Sequence, residues 1–130
     1  MGNDFLEGGS GNDQLFGGQA DDILNGGEGQ DSLSGDRGRD ILTGGNGEDL
    51  FILSNQTAVN DPLQADVIID FSLGDRIGLT EGLTAENLTL ETLNLDGVSG
   101  ILIRNSLANT VLGFVQNTSV DQLSGNLISI

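Results

Sequence analysis

Six aspartates return at steps of nine residues: Asp4, Asp13, Asp22, Asp31, Asp40 and Asp49. Two positions after each stands a large apolar residue (Leu6, Leu15, Leu24, Leu33, Leu42, Phe51), and two positions before each a small one (Gly2, Gly11, Ala20, Gly29, Gly38, Gly47). Gly-Gly opens the units at 8–9, 17–18, 26–27 and 44–45; Gly35-Asp36 is the exception. Carboxylates held in phase among glycines suit one chemistry, the binding of a hard cation. Ca2+ takes roughly 6–8 oxygen ligands at about 2.3–2.6 Å and accepts backbone carbonyls alongside carboxylates. Glycines leave no Cβ in the way and allow positive φ, so a short turn can aim several carbonyls at one spot. One turn cannot supply the full set, so two stacked turns must share an ion.

The rest of the composition narrows the chemistry. The 130 residues contain no Cys and no His. That excludes disulfides, thiolate chemistry, zinc sites of the common kind, and Ser-His-Asp or Cys-His catalysis. There are 20 acidic residues against 4 basic ones (Arg37, Arg39, Arg76 and Arg104), for a formal net charge of -16. Nucleic acid needs a basic surface and is not expected as a partner. An anionic membrane repels the chain for the same reason. No apolar run approaches the roughly 20 residues that span a bilayer, so membrane insertion is not expected. Nor does the chain open on a basic, then apolar, cleavable leader. Acidic pairs could serve glycoside hydrolysis. Here the regular aspartates are accounted for as ligands, and no other constellation converges, so no catalytic residue is assigned.

The elements that position the aspartates follow from the same units. The last three positions alternate x-apolar-x, the period of a strand that turns its middle side chain inward. Each unit is then a turn plus a very short strand, and two units make one coil of a flattened spiral. Coils stack at a strand spacing of about 4.7–4.9 Å. The fold expected is all-β: a parallel β-roll over residues 1–53, followed by a C-terminal β-rich capping region over 54–130. Alternate units share an edge, so Asp4, Asp22 and Asp40 line one and Asp13, Asp31 and Asp49 the other. The pairs Asp4/Asp22, Asp22/Asp40, Asp13/Asp31 and Asp31/Asp49 would share about four ions, with one or two more where the roll meets the second part. A flexible glycine-rich linker is the bland reading of this composition, but a linker would not hold Asp and Leu in phase over six units. Without metal the stacked carboxylates repel. A thin row of leucines cannot offset that repulsion together with the entropy of ordering so many glycines. The roll is therefore expected to fold on binding Ca2+.

The units GGSGNDQLF, GGQADDILN, GGEGQDSLS, GDRGRDILT and GGNGEDLFI follow G-G-x-G-x-D-x-U-x. This resembles the calcium-binding nonapeptide repeats of RTX (repeats-in-toxin) proteins. It is similar to the C-terminal repeat regions of type I secreted proteins: serralysin-type proteases, certain lipases, haemolysins and the R-modules of alginate epimerases. The resemblance covers residues 2–52 and, more weakly, ADVIIDFSLGDRIGL at 65–79. In that family the ion takes the carbonyls of positions two and four and the Asp of one turn. From the turn two units on it takes the carbonyls of positions one and three and the Asp. The resemblance thus implies a site of Gly9, Gly11 and Asp13 with Gly26, Glu28 and Asp31. A second joins Gly27, Gly29 and Asp31 to Gly44, Asn46 and Asp49, and a third joins Gly18, Ala20 and Asp22 to Gly35, Arg37 and Asp40. An N-terminal site would use Gly2 and Asp4 with Gly17, Gln19 and Asp22, without its leading residues. Positions two and four of the last two turns (Asp36, Gly38, Gly45, Gly47) are candidates toward the second part. There Asp66 resembles the family's capping ligand, and Asp70 and Asp75 stand further from the pattern. Two residues depart from the repeat. Ala20 replaces a position-four Gly, and Asp36 replaces a position-two Gly, a place where Asp tolerates the left-handed region better than most residues.

The second part reads as strands at 50–54, 66–71, 76–79 and 87–95 and in GILIR, NTVLGFV and NLISI, punctuated by Gly and Asn as in a meander or small sandwich. Helical turns are expected at 84–88 and 119–123. Such a region would cover the last coil, whose apolar surface and unpaired strand edges need protection. NLISI at 126–130 reads either as a final edge strand or as part of an uncleaved type I secretion signal. The chain opens part-way through a unit, with GNDFLE after Met1, as a segment of a longer parent would. The function expected is a secreted, extracellular or cell-surface calcium-binding module. It would fold on Ca2+, support type I secretion and stabilise a larger parent, with Ca2+ and the type I secretion machinery as its partners. The alternatives are an adhesive or surface-layer interaction module, or the non-catalytic C-terminal part of a secreted protease, lipase or epimerase.

Overall fold

The computed structural model describes residues 2–54 and 59–130; Met1 and residues 55–58, the latter inside the expected capping region, lie outside the described residues. Each of the six units contributes one short strand: β1 (Phe5–Glu7), β2 (Gln14–Phe16), β3 (Ile23–Asn25), β4 (Ser32–Ser34), β5 (Ile41–Thr43) and β6 (Leu50–Leu53). Alternate strands pair in parallel, with Phe5 beside Ile23 and Ile23 beside Ile41 in one sheet. In the other, Gln14 lies beside Ser32 and Ser32 beside Leu50. In a strand of three residues only the middle side chain can face inward. Leu15, Leu24, Leu33, Leu42 and Phe51 therefore form the row between the two sheets, while Leu6, at the open end, packs against it only partly buried.

The roll does not stop at the sixth unit. Strand β7 (Val67–Ile68) pairs in parallel with β5, and β8 (Arg76–Leu79) with β6. A three-stranded antiparallel meander follows: β9 (Leu88–Leu95), β10 (Val98–Asn105) and β11 (Thr110–Gln116). The β9–β10 hairpin turns at Asp96-Gly97, both at positive φ (52° and 83°), as a two-residue hairpin requires. A five-residue helix, α1 (Val120–Ser124), and β12 (Leu127–Ser129) end the chain. One-turn 3-10 segments occupy Pro62–Gln64 and Ala85–Asn87.

The meander is not a separate sandwich. Strand β11 pairs in parallel with β7, giving one seven-stranded sheet in the order β1-β3-β5-β7-β11-β10-β9. Strand β12 likewise pairs with β8, giving a five-stranded sheet β12-β8-β6-β4-β2. Both sheets of the roll thus run on into the second part, and a single buried cluster extends from Leu15 through Phe51, Ile68 and Ile77 to Leu123. A smaller cluster of Ala65, Val67, Leu102, Val111 and Phe114 packs on the outer face of the larger sheet. No helix among the described residues is long and apolar enough to cross a membrane.

Candidate metal centre

Each turn leaves one sheet and enters the other. The turns leading into β3, β5 and β7 lie along one edge and end in Asp22, Asp40 and Asp66, with Asp4 heading the column. Those leading into β2, β4, β6 and β8 lie along the other edge and end in Asp13, Asp31, Asp49 and Asp75. One hydrogen bond repeats along both columns: the backbone N–H of each Asp donates to Oδ1 of the Asp one coil on. The distances are 2.7 Å for Asp4 to Asp22, 2.7 Å for Asp22 to Asp40 and 3.0 Å for Asp40 to Asp66. On the other edge they are 2.8 Å for Asp13 to Asp31, 2.9 Å for Asp31 to Asp49 and 2.9 Å for Asp49 to Asp75.

Those bonds use Oδ1 of Asp22, Asp31, Asp40, Asp49, Asp66 and Asp75, while Asp4 and Asp13 take part through their amides. Among the described residues, Oδ2 of Asp13, Asp22, Asp31, Asp40 and Asp49 is buried with no hydrogen-bond partner. Asp22, Asp31, Asp40 and Asp49 are themselves at most 2% exposed. Burying a charge without a partner is strongly unfavourable, and no arginine pairs with either column among the described residues. The ion pair there joins Arg104 Nε to Glu91 Oε1 at 3.0 Å, on the meander. The free oxygens face the glycines that open their own turns. A Cβ on Gly8 would stand 2.7 Å from Asp13 Oδ2 and 2.6 Å from the Gly26 carbonyl oxygen. On Gly17 it would meet Asp22 Oδ2 at 2.8 Å and the Gly35 carbonyl at 2.7 Å, and on Gly26, Asp31 Oδ2 at 2.5 Å and the Gly44 carbonyl at 2.7 Å. At three places, then, a carboxylate oxygen of one turn and the position-one carbonyl of the next coil converge on a hollow that only glycine leaves open. An anionic, all-oxygen donor set fits a hard cation such as Ca2+. No three His, Cys, Asp or Glu side chains gather in one cluster among the described residues. What converges is single carboxylates with main-chain oxygens.

The stacked carboxylates perturb one another. Burial, reinforced by Asp40, pushes Asp66 up to about 8. Burial pushes Asp40 up to about 6, with Asp22 and Asp21 adding to it. Asp49 is likewise raised to about 6 by burial and then by Asp75, Asp31 and Asp70. Asp75 is raised by burial and by Asp70. In each case loss of water around the charged form is the leading cause and like charge the secondary one.

The turns whose carbonyls the resemblance nominates stack directly on one another. The amides of Glu28, Arg37 and Asn46 donate to the position-two carbonyls of Gly9 (2.9 Å), Gly18 (2.8 Å) and Gly27 (2.9 Å), which leaves each of those oxygens a second lone pair. Gly11, Ala20 and Gly29 present their carbonyls to Gly29, Gly38 and Gly47 of the next coil so closely that a Cβ there would overlap them. The side chains of Gln19, Glu28, Arg37 and Asn46 are exposed, so only their backbones face the turns. At the N-terminal end Gly2 has no neighbour within 4 Å of where a Cβ would stand, while Asp4 keeps its bond to Asp22. Ala20 and Asp36 both adopt positive φ, at 82° and 68°. Ala20 takes a conformation that disfavours a Cβ, at a position with only the chain's first residues below it. Asp36 accepts a hydrogen bond from Ser34 Oγ at 2.8 Å.

Three features escaped the sequence reading. First, Asp66 and Asp75 are themselves nine residues apart, each with a buried Ile two positions on (Ile68, Ile77). DPLQADVII and DFSLGDRIG are therefore two further units, displaced from the first six by the eight residues 53–60. Second, Asp70, at position one of the last unit, is no free ligand. Its two carboxylate oxygens accept from the amides of Gly44 and Gly45, each at 2.8 Å. Asp75 is also satisfied, with Oδ2 accepting from Ser72 N at 2.9 Å and Ser72 Oγ at 3.2 Å. Third, the residue before the Asp is not a free position in the first three units. Asn3, Asn12 and Asp21 accept through Oδ1 from the amides of Asp21 (3.2 Å), Gln30 (2.8 Å) and Arg39 (2.8 Å), one coil on. The recurring short Asx side chain was the available signal.

Comparison with known proteins agrees with this geometry. The family model of the RTX calcium-binding nonapeptide repeat (four copies) matches residues 1–33 and 26–55. No curated protein matches the chain in sequence. Among solved structures, the chain is similar to the R3 subunit of the mannuronan C5-epimerase AlgE6 from Azotobacter vinelandii. The TM-score is 0.68 and the identity 26%, over 96% of this chain and 78% of that one. It is similar also to the R2 subunit of the same enzyme, with a TM-score of 0.65 and 26% identity, over 97% of this chain and 87% of that one. Repeat phase, two-edged aspartate columns and these matches lead to one conclusion: residues 1–55 carry RTX calcium-binding nonapeptide repeats, folded as a parallel β-roll.

Proposed function

We propose that the stacked turns hold Ca2+ between successive coils, and that the domain folds on binding it. The observation that carries this reading is the set of five buried, unpartnered Oδ2 atoms beside position-one glycines. The expected ions sit between the turns ending in Asp13/Asp31, Asp31/Asp49 and Asp22/Asp40, with a partly formed site at Asp4/Asp22. One or two more would lie where the last regular turns meet the units of Asp66 and Asp75. The main-chain ligands would be the carbonyls of Gly9, Gly11, Gly18, Ala20, Gly27 and Gly29 from one turn and those of Gly26, Glu28, Gly35, Arg37, Gly44 and Asn46 from the next coil. Asp36, Gly38, Gly45 and Gly47 serve the outermost pair, where Asp66 caps one column. Residues 1–53 would supply the regular ion-binding turns, and 54–130, which carries the roll's last two units, would cap it.

A module of this kind binds Ca2+ at about 10⁻⁴–10⁻³ M when it works outside the cell. Low calcium inside would keep the chain unfolded for type I export, and extracellular calcium would then fold it and stabilise an attached parent protein. The test combines calorimetric counting of bound Ca2+ with circular dichroism in Ca2+ and in EDTA. About four or more ions and a gain of β signal on binding are expected; unchanged β content in EDTA would refute folding on calcium. The likeness to the epimerase repeat subunits favours a second reading, a non-catalytic repeat module beside a polymer-modifying enzyme. Retention of the Ca2+-loaded domain on immobilised mannuronan would support it, and free passage would exclude it.

A further inference from the structure

The chain contains two Asn-Gly dipeptides, Asn25-Gly26 and Asn46-Gly47. This pair is the most labile in peptide chemistry, because the glycine nitrogen is unhindered. The fold treats the two differently. Gly26 is buried, and its N–H donates to the Thr43 carbonyl at 2.9 Å; the Asn25 carbonyl accepts from Gly8 N at 2.9 Å, within the ladder of β1, β3 and β5. Asn46 and Gly47 are both exposed at the tip of the last regular turn. The Gly47 N–H has no acceptor among the described residues, and the Asn46 side chain makes no hydrogen bond there. The peptide is nonetheless fixed in place by its other atoms: Asn46 N donates to the Gly27 carbonyl at 2.9 Å, and Gly29 N donates to the Asn46 carbonyl at 3.1 Å.

We infer that Asn46-Gly47 is a site of spontaneous deamidation and isomerisation in the folded domain, and that the strand ladder shields Asn25-Gly26 from the same reaction. The Gly47 N–H gives its proton to solvent base and the nitrogen attacks Asn46 Cγ. The bond from Cγ to the side-chain nitrogen breaks, and ammonia leaves. Water then opens the five-membered succinimide at either carbonyl, yielding Asp or isoaspartate. At Asn25 the attacking nitrogen must first break its bond to Thr43 and leave the ladder. Isoaspartate at 46 threads the main chain through Cβ, adding a backbone carbon and displacing the carbonyl that Gly29 now holds. Loss of one shared ion is a further consequence, and it rests on the calcium reading, in which that carbonyl is a ligand.

The test is peptide mapping by mass spectrometry on protein aged in mildly alkaline buffer, with Ca2+ or with EDTA, its fold followed by circular dichroism. In Ca2+, modification at Asn46 should outpace that at Asn25 by about tenfold or more, because the latter waits on local opening. Equal rates in the folded, Ca2+-loaded protein overturn the assignment. In EDTA the two rates should converge as the ladder is lost. A ratio unchanged in EDTA supports the assignment and overturns folding on calcium instead, so the two failures are distinguishable. In Asn46→Gln, whose longer side chain cyclises far more slowly, the fast mass gain should vanish. Its persistence elsewhere in the chain also overturns the assignment.

Discussion

Asp22, Asp31, Asp40 and Asp49 each divide their two oxygens between two tasks. Oδ1 accepts an amide from the neighbouring coil, which fixes the carboxylate's rotation, and Oδ2 is left facing the hollow beside a glycine. Asp31 is stacked against Asp13 on one side and Asp49 on the other, whereas Asp13 has one stacked partner. Asp31→Asn should therefore remove about two ions from a calorimetric titration and Asp13→Asn about one; equal losses would refute shared ions between coils. The hollow itself is open to test. In Gly26→Ala the added Cβ lies 2.5 Å from Asp31 Oδ2 and 2.7 Å from the Gly44 carbonyl. It should weaken Ca2+ binding and cost about 1–3 kcal/mol in Ca2+ by overpacking. Gly9→Ala has nothing within 4 Å and suffers only from its φ of 84°. Its expected cost is about 1–2 kcal/mol with the ion count intact. The aspartate phase was plain in the sequence; the role of the residue before each Asp was not, because Asn, Asp, Gln, Arg and Glu all occupy it and only the stacked register makes the short ones meet an amide.

At the scale of the element, strands of three residues have almost no independent stability, and their order comes from the coil on either side. Leu33 sits in the middle of such a stack and is fully buried; Leu6 sits in the first strand and is only partly buried. In denaturant unfolding of the Ca2+-loaded domain, Leu33→Ala should cost about 2–5 kcal/mol and Leu6→Ala clearly less. A reversed order would show that the row of apolar residues is not the unit of cohesion. The expected helical turns near 84–88 and 119–123 are present as Ala85–Asn87 and α1. The meander was legible from its alternation and turn residues. Its attachment was not: β11 joins the roll through β7, a pairing between segments some 47 residues apart, and hydrophobic alternation carries no information about which edge a strand will choose.

For the whole molecule the controlling term is charge. Asp40 and Asp49 are raised to about 6, Asp66 to about 8, and Asp75 in the same direction, from an ordinary value of 3.8. A raised carboxylate means that the folded state holds its proton more tightly than the unfolded chain. Its contribution to stability is complete below the unfolded value and is lost as pH rises through the folded one. In EDTA the domain should therefore be more structured near pH 5 than near pH 9, with the loss spread over roughly pH 4–8. With Ca2+ the ion competes with those protons, so apparent affinity should rise across the same window and binding should release protons. Dichroism against pH in EDTA, and titrations in buffers of different ionisation heat, check the two halves. A metal-free domain that gains structure as pH rises would contradict the assignment of these groups.

The sequence by itself determined the period, and through the period the coil, the two edges, the inward row from Leu6 to Phe51 and the oxygen-only chemistry of the turns. These are local or strictly periodic properties, and a period of nine with side chains alternating in and out leaves little choice of geometry. Tertiary structure alone decided where the roll ends. The insertion at 53–60 breaks the phase, so only the pairing of β7 with β5 and β8 with β6 reveals Asp66 and Asp75 as column members. It also decided which carboxylates remain free. Asp70 and Asp75 stand further from the ligand pattern in the sequence, and the backbone amides and Ser72 that satisfy them are brought there by the fold.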